Sequence, residues 1–280
     1  MKAQRRERLI DMTNYLELHP DELVPLKHFA KRYGAAKSSI SEDVTIVKQA
    51  FAHYHIGLVK TLPGASGGVI FTPGIDRATA KSYLEDLSAV LNDPDRILPG
   101  GYLYLSDIIG NPQLLHKIGL LIATEYADQS VDVIMTIATK GIPIAQSLSS
   151  YLGVPYVIVR RDSQVTEGPT LSVNYESGSS NRVEKMELSK RSLQRGARVV
   201  VVDDFMKGGG TVNGMRNLID EFDCHLIGAT VLAEAGENRS AKNDWATSLL
   251  DVQKINSQAH KLQIGLGNYL DRTDFKLFEP

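Results

Sequence analysis

The residues with the clearest capacity for binding chemistry lie in one stretch, residues 199–211, which reads V-V-V-V-D-D-F-M-K-G-G-G-T. Asp203 and Asp204 offer carboxylate oxygens, which accept hydrogen bonds from sugar hydroxyls or bind a metal ion. The three glycines that follow let backbone N–H groups crowd together at the start of a helix, where phosphate binds well. The stretch therefore contains the groups that a ribose 5-phosphate requires.

The order of these residues excludes two common nucleotide motifs. It matches neither the Walker pattern G-x-x-x-x-G-K-[ST] nor the dinucleotide pattern G-x-G-x-x-G. A glycine-rich turn and an acidic pair also occur in ordinary solvated loops. The assignment therefore depends on the complete order: an apolar strand, Asp-Asp, three residues, Gly-Gly-Gly-Thr and a helix predicted over residues 212–222.

This order resembles the phosphoribosyl pyrophosphate loop of the type I phosphoribosyltransferases. The resemblance implies that the two acids bind the ribose hydroxyls. It also implies that the 5-phosphate is held by backbone amides and a hydroxyl, from Gly208, Gly209, Gly210 and Thr211.

The stretch differs from those enzymes at its centre. The enzymes carry small or hydroxyl residues where this chain has Met206, Lys207 and Gly208. A bulky, cationic loop can still bind phosphate, so Phe205 and Lys207 are included in the predicted effector site. The difference predicts binding without turnover, and no catalytic residue is assigned.

Two further polar loops follow predicted strands. Ala138, Thr139 and Lys140, followed by a glycine, resemble the pyrophosphate loop of the same family, although a loop lysine is usually only solvated. Arg160 and Arg161 end the strand predicted over Tyr156–Val159, as two cations where a buried strand should finish. A surface pair is the simple alternative, but the neighbouring loops favour phosphate binding, and Arg160 is assigned to the effector.

The elements that must position these loops alternate between strand and helix. Strands are predicted over residues 131–137, 156–159, 199–202 and 226–232, and helices over residues 142–152 and 212–222. This alternation predicts an α/β fold with a doubly wound parallel sheet. The three polar loops follow strands, so they should converge at the carboxyl edge of the sheet.

Other segments of this region are less regular. Helices are predicted over residues 78–91 and 111–126, and residues 102–105 alternate like a strand that exposes aromatic rings. Tyr102, in that strand, is assigned to the effector site. Residues 163–189 predict two strands joined by a polar turn, which the resemblance implies to be the flexible loop of the transferases. The last forty residues, with Trp245, are expected to form a small cap over the pocket.

The first 73 residues have a different character. They carry a net charge of +3, whereas the whole chain carries −2. Their pattern predicts three helices and a β-hairpin, the order of a winged helix, with a glycine between the second and third helices. A small domain that contacts protein is the alternative. The predicted DNA contacts are basic and hydroxyl side chains: Arg5, Arg6, Lys37, Ser38, Ser39, Ser41 and Lys60.

Length and composition bound the remaining possibilities. The 280 residues suffice for two domains, predicted as residues 1–74 and 75–280. Hydrophobic content of 42% and charged content of 23% are ordinary for a globular protein. Cys224 is the only cysteine, so no internal disulfide can form, and no metal cluster is predicted. Neither a membrane span nor a secretory signal is recognisable, which predicts a cytoplasmic protein without a membrane partner.

Across essentially the whole chain, this combination resembles the purine operon repressors of Gram-positive bacteria. The acidic-glycine stretch, the T-K-G loop and the segments S-V-N-Y and S-G-S-S carry the resemblance. It implies a homodimeric, non-enzymatic repressor that binds double-stranded operator DNA of purine synthesis and transport genes. It further implies no obligatory cofactor and release by phosphoribosyl pyrophosphate, with or without Mg²⁺. A guanosine polyphosphate alarmone is a second candidate for the same pocket.

Two alternative functions remain from the sequence. One is an active purine phosphoribosyltransferase with an appended DNA-binding domain. The other is a small-molecule-binding protein whose N-terminal domain contacts another protein.

Overall fold

The computed structural model describes residues 3–64, 67–99, 102–162, 168–176, 182–236, 245–256 and 261–279. A small N-terminal domain precedes a larger α/β domain. Every helix within these ranges is too short or too polar to span a bilayer.

The N-terminal domain has the predicted winged-helix arrangement. Its helices are α1 (Arg5–Leu18), α2 (Leu26–Tyr33) and α3 (Lys37–His53), and its strands are β1 (Val24–Pro25), β2 (Gly57–Leu62) and β3 (Gly68–Pro73). The hairpin β2–β3 was predicted, whereas β1, which pairs with β3, was not. Gly34 ends α2 in the left-handed conformation at φ 61°, which allows the tight turn into α3. Apolar side chains from all three helices form one core, including Met12, Phe29, Ile40 and Phe51.

Helices and a short hairpin connect this domain to the main sheet. They are α4 (Arg77–Leu91), a 3₁₀ turn (Pro94–Arg96), β4 (Ile97–Leu98), β5 (Tyr102–Leu103), α5 (Ser106–Gly110) and α6 (Pro112–Tyr126). The strand predicted over residues 102–105 is only two residues long. Its alternation is confirmed, because Leu103 and Leu105 are buried whereas Tyr102 and Tyr104 are exposed.

The main sheet has six strands in the order β13-β12-β11-β10-β6-β7. They are β6 (Val133–Ile137), β7 (Tyr156–Val159), β10 (Arg198–Met206), β11 (His225–Ala235), β12 (Ala246–Asn256) and β13 (Lys261–Leu266). All neighbouring pairs are parallel except β12–β13. Helix α7 (Gly141–Leu152) and helix α8 (Gly210–Glu221) follow β6 and β10. Separate hydrophobic cores fill the two faces of the sheet, as expected for a doubly wound fold.

The C-terminal residues do not form the predicted cap, and that prediction was wrong. Strands β12 and β13 extend the main sheet, and helix α9 (Tyr269–Arg272) buries Tyr269 in the core on one face. Backbone hydrogen bonds to β11 favour this position, because an uncovered β11 edge would leave its backbone groups unpaired.

The strand that carries the acidic pair is also longer than predicted. It continues through Asp203 to Met206, because β11 pairs with it along this whole length, as far as Met206 opposite Glu234. The acids therefore lie on a strand and not in a flexible loop.

The two strands predicted within residues 163–189 are confirmed as an antiparallel hairpin, β8 (Thr170–Glu176) and β9 (Val183–Ser189). The hairpin packs against α8, with Tyr175 and Met186 beside Gly214. Residues 163–167 and the predicted polar turn lie outside the described residues, so the correspondence with the flexible loop of the transferases stays a prediction.

Candidate functional site

A cavity of about 310 Å³ opens at the carboxyl ends of β6, β7 and β10. The three loops that the sequence singled out do converge there. Its lining residues are Tyr102, Ile137, Ala138, Thr139, Lys140, Arg161, Asp203, Asp204, Phe205, Lys207 and Thr211. The wall thus combines cations, two acids and aromatic rings, which suits a ligand carrying both phosphate and hydroxyl groups.

The two acids occupy different positions in the wall. Asp203 is only 5% exposed, and its Oδ1 accepts a hydrogen bond of 2.9 Å from the backbone N–H of Asp204. Burial, followed by the charge of Asp204, raises the pKa of Asp203. Burial also raises the pKa of Asp204, against the opposing effect of the Lys140 charge. Both carboxyl groups are therefore desolvated acceptors, ready for the hydroxyls or cation of a ligand.

The loop between β6 and α7 is packed closely onto β10. A Cβ atom at Gly141 would lie 2.1 Å from Thr136 Oγ1 and 3.1 Å from Asp203 Oδ1, so only glycine fits there. The Ala138–Thr139 peptide bond is cis. Lys140 is the N-cap residue of α7, so its cation and the helix N-terminus lie together at the cavity. This pairing suits an anionic group such as pyrophosphate.

The glycine turn after β10 leads directly into α8. Gly208 and Gly209 have φ values of 78° and 76°, which other residues adopt only with strain. Gly209 is the N-cap of α8 and Gly210 its first residue, followed by Thr211 in the cavity wall. The start of this twelve-residue helix therefore presents backbone N–H groups and one hydroxyl beside the two acids.

One side of the cavity is formed by Lys207 and an aromatic ring. The Lys207 Nζ atom lies 5.5 Å from the centroid of the Tyr102 ring, within range of a cation–π contact. The Tyr102 ring is 48% exposed. Phe205, also in the wall, packs against the core on one face of the sheet. Lys207 is thus held towards the cavity and is not fully solvated.

The arginine in the wall is Arg161, whereas the sequence assignment chose Arg160. Backbone hydrogen bonds of 3.0 and 2.8 Å pair Arg160 with Glu187 of β9, and successive side chains along extended backbone point in opposite directions. Arg161 Nε donates to Tyr175 Oη at 3.1 Å and lies 3.2 Å from Glu184 Oε2. The lining therefore favours Arg161 as the phosphate contact.

The predicted DNA contacts lie on three elements of the winged helix, α1, α3 and β2. Lys37, Ser38 and Ser41 are exposed on the first turns of α3, whereas Ser39 is half-buried. Arg6 on α1 and Lys60 on β2 are exposed as well. These positions present cationic and hydroxyl donors to a phosphate backbone.

Arg5, also assigned to DNA, makes contacts inside the domain. Its Nε lies 3.1 Å from Asp43, and its guanidinium lies 3.6 Å from Glu42. Arg8, which the sequence reasoning overlooked, makes a buried 2.7 Å ion pair with the same Asp43. The two arginines fix α1 against α3. The sequence gives no signal for the pairing of Asp43 with Arg8, because an acid within an amphipathic helix is far more often exposed than buried.

Metal ligands are limited in the described part of the chain, which contains no group of three or more His, Cys, Asp and Glu side chains placed to hold an ion. Asp203 and Asp204 supply two carboxyl groups. Mg²⁺ is commonly bound by one or two carboxylates together with water and substrate phosphates. The two acids therefore fit a magnesium ion that arrives with a polyphosphate ligand.

Comparison with known families divides the chain at the same place as the fold. Residues 4–73 match the family described as "Bacterial purine repressor, N-terminal". Residues 106–263 match the family described as "Phosphoribosyl transferase domain".

Similar proteins extend over almost the full length. The chain is 52% identical over 270 residues to the purine biosynthesis transcriptional repressor PurR of Bacillus subtilis (strain 168), covering 96% of this chain and 95% of that protein. It is also 52% identical over 265 residues to the purine biosynthesis transcriptional activator PurR of Lactococcus lactis subsp. lactis (strain IL1403), covering 95% and 98%. A xanthine phosphoribosyltransferase of Deinococcus deserti is 33% identical over 150 residues, which are 52% of this chain and 78% of the enzyme.

Solved structures agree with the fold of the larger domain. Adenine phosphoribosyltransferase from Saccharomyces cerevisiae matches with a TM-score of 0.53 at 20% identity, over 60% of this chain and 97% of the enzyme. The enzyme from Thermoanaerobacter pseudethanolicus matches with a TM-score of 0.52 at 21% identity, over 60% and 99%. The predicted fold class is confirmed by these matches.

Proposed function

This chain belongs to the family of purine biosynthesis transcriptional regulators, and we propose that it binds operator DNA through its winged helix and regulates purine genes. The observation that carries the proposal is that one chain combines two features. The first is the start of α3, where a lysine and serines are exposed, and the second is the cavity that contains the Asp–Asp pair and the glycine turn. The first suits a DNA backbone and the second suits a phosphorylated ribose. A DNA regulator of this kind acts in the cytoplasm, as a homodimer on double-stranded DNA.

The effector in this proposal is phosphoribosyl pyrophosphate. Its ribose hydroxyls would contact Asp203 and Asp204, and its 5-phosphate would lie at the start of α8. Its pyrophosphate would lie against Lys140 and Arg161, with Lys207 at the side. Magnesium, when bound, would neutralise part of the pyrophosphate charge. A guanosine polyphosphate offers the same phosphate chemistry and is the second candidate ligand.

Helix α7 offers a route from this cavity to the DNA-binding domain. The helix begins at Gly141 in the cavity loop and ends after Leu152, about 18 Å away at 1.5 Å per residue. Its C-cap, Gly153, packs against the winged-helix domain, since a Cβ there would lie 3.2 Å from Pro20 Cγ. An effector that binds the DNA-free protein more tightly than the DNA-bound protein weakens DNA binding by the same factor. Each tenfold difference between these two effector affinities corresponds to about 1.4 kcal/mol.

We propose further that the effector domain carries out no transfer reaction. The bulky residues ahead of the glycine turn support this, because Met206 is buried beneath the turn and Lys207 lies over Tyr102. The active transferase remains the competing function, supported by the likeness to the xanthine enzyme. Incubation with phosphoribosyl pyrophosphate, Mg²⁺ and each purine base should release no pyrophosphate above the level without protein. Base-dependent release would establish the enzyme.

The direction of regulation has two candidates. Repression is the proposed direction, but a relative named an activator is as similar to this chain as one named a repressor. Transcription from purine promoters in cells with and without the gene would separate them. Higher transcription after deletion supports repression, and lower transcription supports activation.

DNA binding is tested by fluorescence anisotropy with purine-promoter DNA at several salt concentrations, with and without phosphoribosyl pyrophosphate. Lys37→Ala should weaken binding and reduce the slope of log affinity against log salt by about one, as for a lost phosphate contact. The matched control is Lys254→Ala, an exposed lysine on β12. Equal affinity for unrelated DNA, with no effect of Lys37→Ala, would contradict the proposal.

A further inference from the structure

A second and larger cavity, of about 640 Å³, lies between the winged-helix domain and the effector domain. We call it the interdomain cleft. Its walls come from both domains, with Glu17, Tyr54 and Phe71 on one side and Tyr83, Gln146 and Tyr151 on the other. It is separate from the 310 Å³ cavity that is lined by Lys140, Asp203 and Asp204, which we call the effector cavity, and the two share no lining residue. Clefts of this size at domain boundaries are common small-molecule sites.

Aromatic rings dominate the wall, and one of them is fixed in place. The Tyr151 hydroxyl lies 2.5 Å from His116 Nδ1, and the two ring centroids are 5.3 Å apart. The pKa of Tyr151 is raised by burial, and then by the nearby Tyr83 and Glu17. Glu17, which belongs to the other domain, is therefore close enough to Tyr151 for its charge to act on the Tyr151 hydroxyl. These surfaces suit stacking against a planar ring.

The polar side chains of the cleft include one carboxylate, that of Glu17, and one amide, that of Gln146. The Glu17 carboxylate and the Gln146 amide make no hydrogen bond or ion pair with any residue in the described ranges. His55, also in the wall, is committed to Asp76 at 2.5 Å. Among the described residues, no lysine or arginine lines the cleft, and Lys117, whose Nζ lies 4.7 Å from the centroid of the Tyr83 ring, is paired with Asp86 at 2.8 Å. An unpaired carboxylate without a cation repels phosphate but accepts hydrogen bonds from N–H groups.

We propose that the interdomain cleft is a binding site for a planar, phosphate-free heteroaromatic ring with N–H donors, such as a free purine base. The ring would lie among Tyr54, Tyr83 and Tyr151. Its N–H edge would donate to Glu17, and the Gln146 amide would pair with another edge. The chemistry is thus the opposite of that of the effector cavity, which is built for phosphate.

The position of the site gives it a consequence for DNA binding, which depends on the proposed function. Tyr54 is the C-cap residue of α3, the helix whose first turns carry the predicted DNA contact Lys37, and Tyr151 lies on α7, which starts at the effector cavity. A ring held between these residues fixes α3 relative to α7. DNA affinity should therefore change when the base binds, without any change at the phosphate site.

The test is isothermal titration of the full chain with adenine and with guanine, and with the corresponding monophosphates for comparison. At least one base should bind. Its affinity should fall by roughly tenfold or more in Glu17→Gln, because the variant loses the charged acceptor for the N–H edge, and tenfold corresponds to about 1.4 kcal/mol. The matched control is Glu22→Gln, an exposed acid of the same domain that does not line the cleft. That variant should bind like the unchanged chain.

A second pair of variants separates loss of the site from misfolding. Ser150 is exposed on α7 and lines the cleft, so Ser150→Trp should fill it and abolish base binding. Ser172→Trp, on the exposed side of β8, is its control. Binding of phosphoribosyl pyrophosphate should persist in both. Because the titration needs no DNA, failure of the DNA-binding proposal leaves this test intact.

Three results would overturn the proposal. The first is that neither base binds the intact chain. The second is that binding survives both Glu17→Gln and Ser150→Trp. The third is that Asp204→Asn, and not Ser150→Trp, abolishes binding, because the base would then lie in the effector cavity.

Discussion

At the effector cavity, two adjacent carboxyl groups differ in exposure because they lie on a strand. Asp203 is buried opposite Val231 of β11, whereas the neighbouring Asp204 is half-buried and lines the cavity. Arg161 is held by Tyr175 and Glu184 of the β8–β9 hairpin. At this scale, charge and desolvation decide ligand affinity.

Asp204→Asn should weaken the response to phosphoribosyl pyrophosphate by roughly tenfold or more, because it removes one charge-assisted acceptor from the cavity. DNA affinity without effector should change by less than about twofold, because Asp204 lies on β10 and not in the winged helix. Anisotropy titrations with and without effector measure both quantities. Asp220→Asn, an exposed acid on α8, is the control. A normal response in Asp204→Asn would remove this acid from the site.

Because burial raises the pKa values of Asp203 and Asp204, effector binding should also weaken as pH falls towards those pKa values.

Glu184→Gln should tighten effector binding by about twofold to fivefold. The Glu184 carboxylate competes with an effector phosphate for Arg161, and a partly exposed ion pair of this kind is worth at most about 1 kcal/mol. Calorimetric titration of phosphoribosyl pyrophosphate measures the change. Glu176→Gln removes an exposed charge from the same hairpin and should have no effect. Weaker binding in Glu184→Gln would mean that the glutamate positions Arg161 productively.

Between elements, a polar cluster joins α6 to the far half of the sheet. Glu125 on α6 accepts hydrogen bonds from Thr230 of β11 at 2.6 Å and Thr247 of β12 at 2.5 Å. Arg272 of α9 in turn donates to Thr247 at 3.1 Å. Burial, opposed by these hydrogen bonds, raises the pKa of Glu125 to about 7. The packing of α6 on the sheet is therefore sensitive to pH.

Glu125→Gln should flatten the dependence of stability on pH. The folded-state pKa lies above the ordinary 4.5, so the contribution of Glu125 to stability is complete below pH 4.5 and is lost as pH rises through about 7. The unchanged chain should lose about 2 kcal/mol relative to the variant between pH 5 and pH 8. Urea unfolding at both pH values measures this difference. Glu221→Gln, an exposed acid on α8, should retain the original dependence, and parallel curves for Glu125→Gln would contradict the assignment.

For the whole molecule, the C-terminus reaches back to the connection between the two domains. Phe278 lies against Gly74, where a Cβ would come within 2.0 Å of its ring. A cavity of about 230 Å³ beside it is lined by both domains, including Phe51 and Leu58 of the winged helix. On the effector side, the backbone N–H of Ile75 donates to Thr124 Oγ1 at 3.2 Å. These contacts stiffen the connection through which an effector signal must pass.

Phe278→Ala should reduce the effect of the effector on DNA affinity several-fold. It should also lower the free energy of unfolding by about 2 kcal/mol, less than for a fully buried phenylalanine because Phe278 is half-buried. DNA affinity without effector should be nearly unchanged, because Phe278 shares a cavity with Phe51, near the end of α3 opposite to Lys37. Anisotropy and thermal unfolding measure these effects. Phe222→Ala, at the end of α8, controls for loss of a half-buried ring elsewhere. An undiminished effector response in Phe278→Ala would exclude this route.

The sequence alone determined the features that depend on neighbours in the chain. The glycine between the second and third helices and the strand Tyr156–Val159 follow from local periodicity and turn chemistry, and the structure confirms them. The convergence of the three polar loops followed from the rule that parallel strands share one carboxyl edge. The whole-chain resemblance, which the comparisons confirm, identified the family.

The tertiary structure decided what depends on distant partners. It places Arg161, and not Arg160, in the lining of the cavity, while the backbone of Arg160 is bridged to Glu187 of β9. It placed β12 and β13 in the main sheet and not over the pocket. The reason is that β11 has an edge which needs a hydrogen-bonding partner, and β12 supplies that partner. The burial of Asp203, the Arg8–Asp43 pair and the interdomain cleft likewise join residues far apart in sequence. Local patterns carry no information about such pairings, since burial and charge partners are properties of the packed molecule.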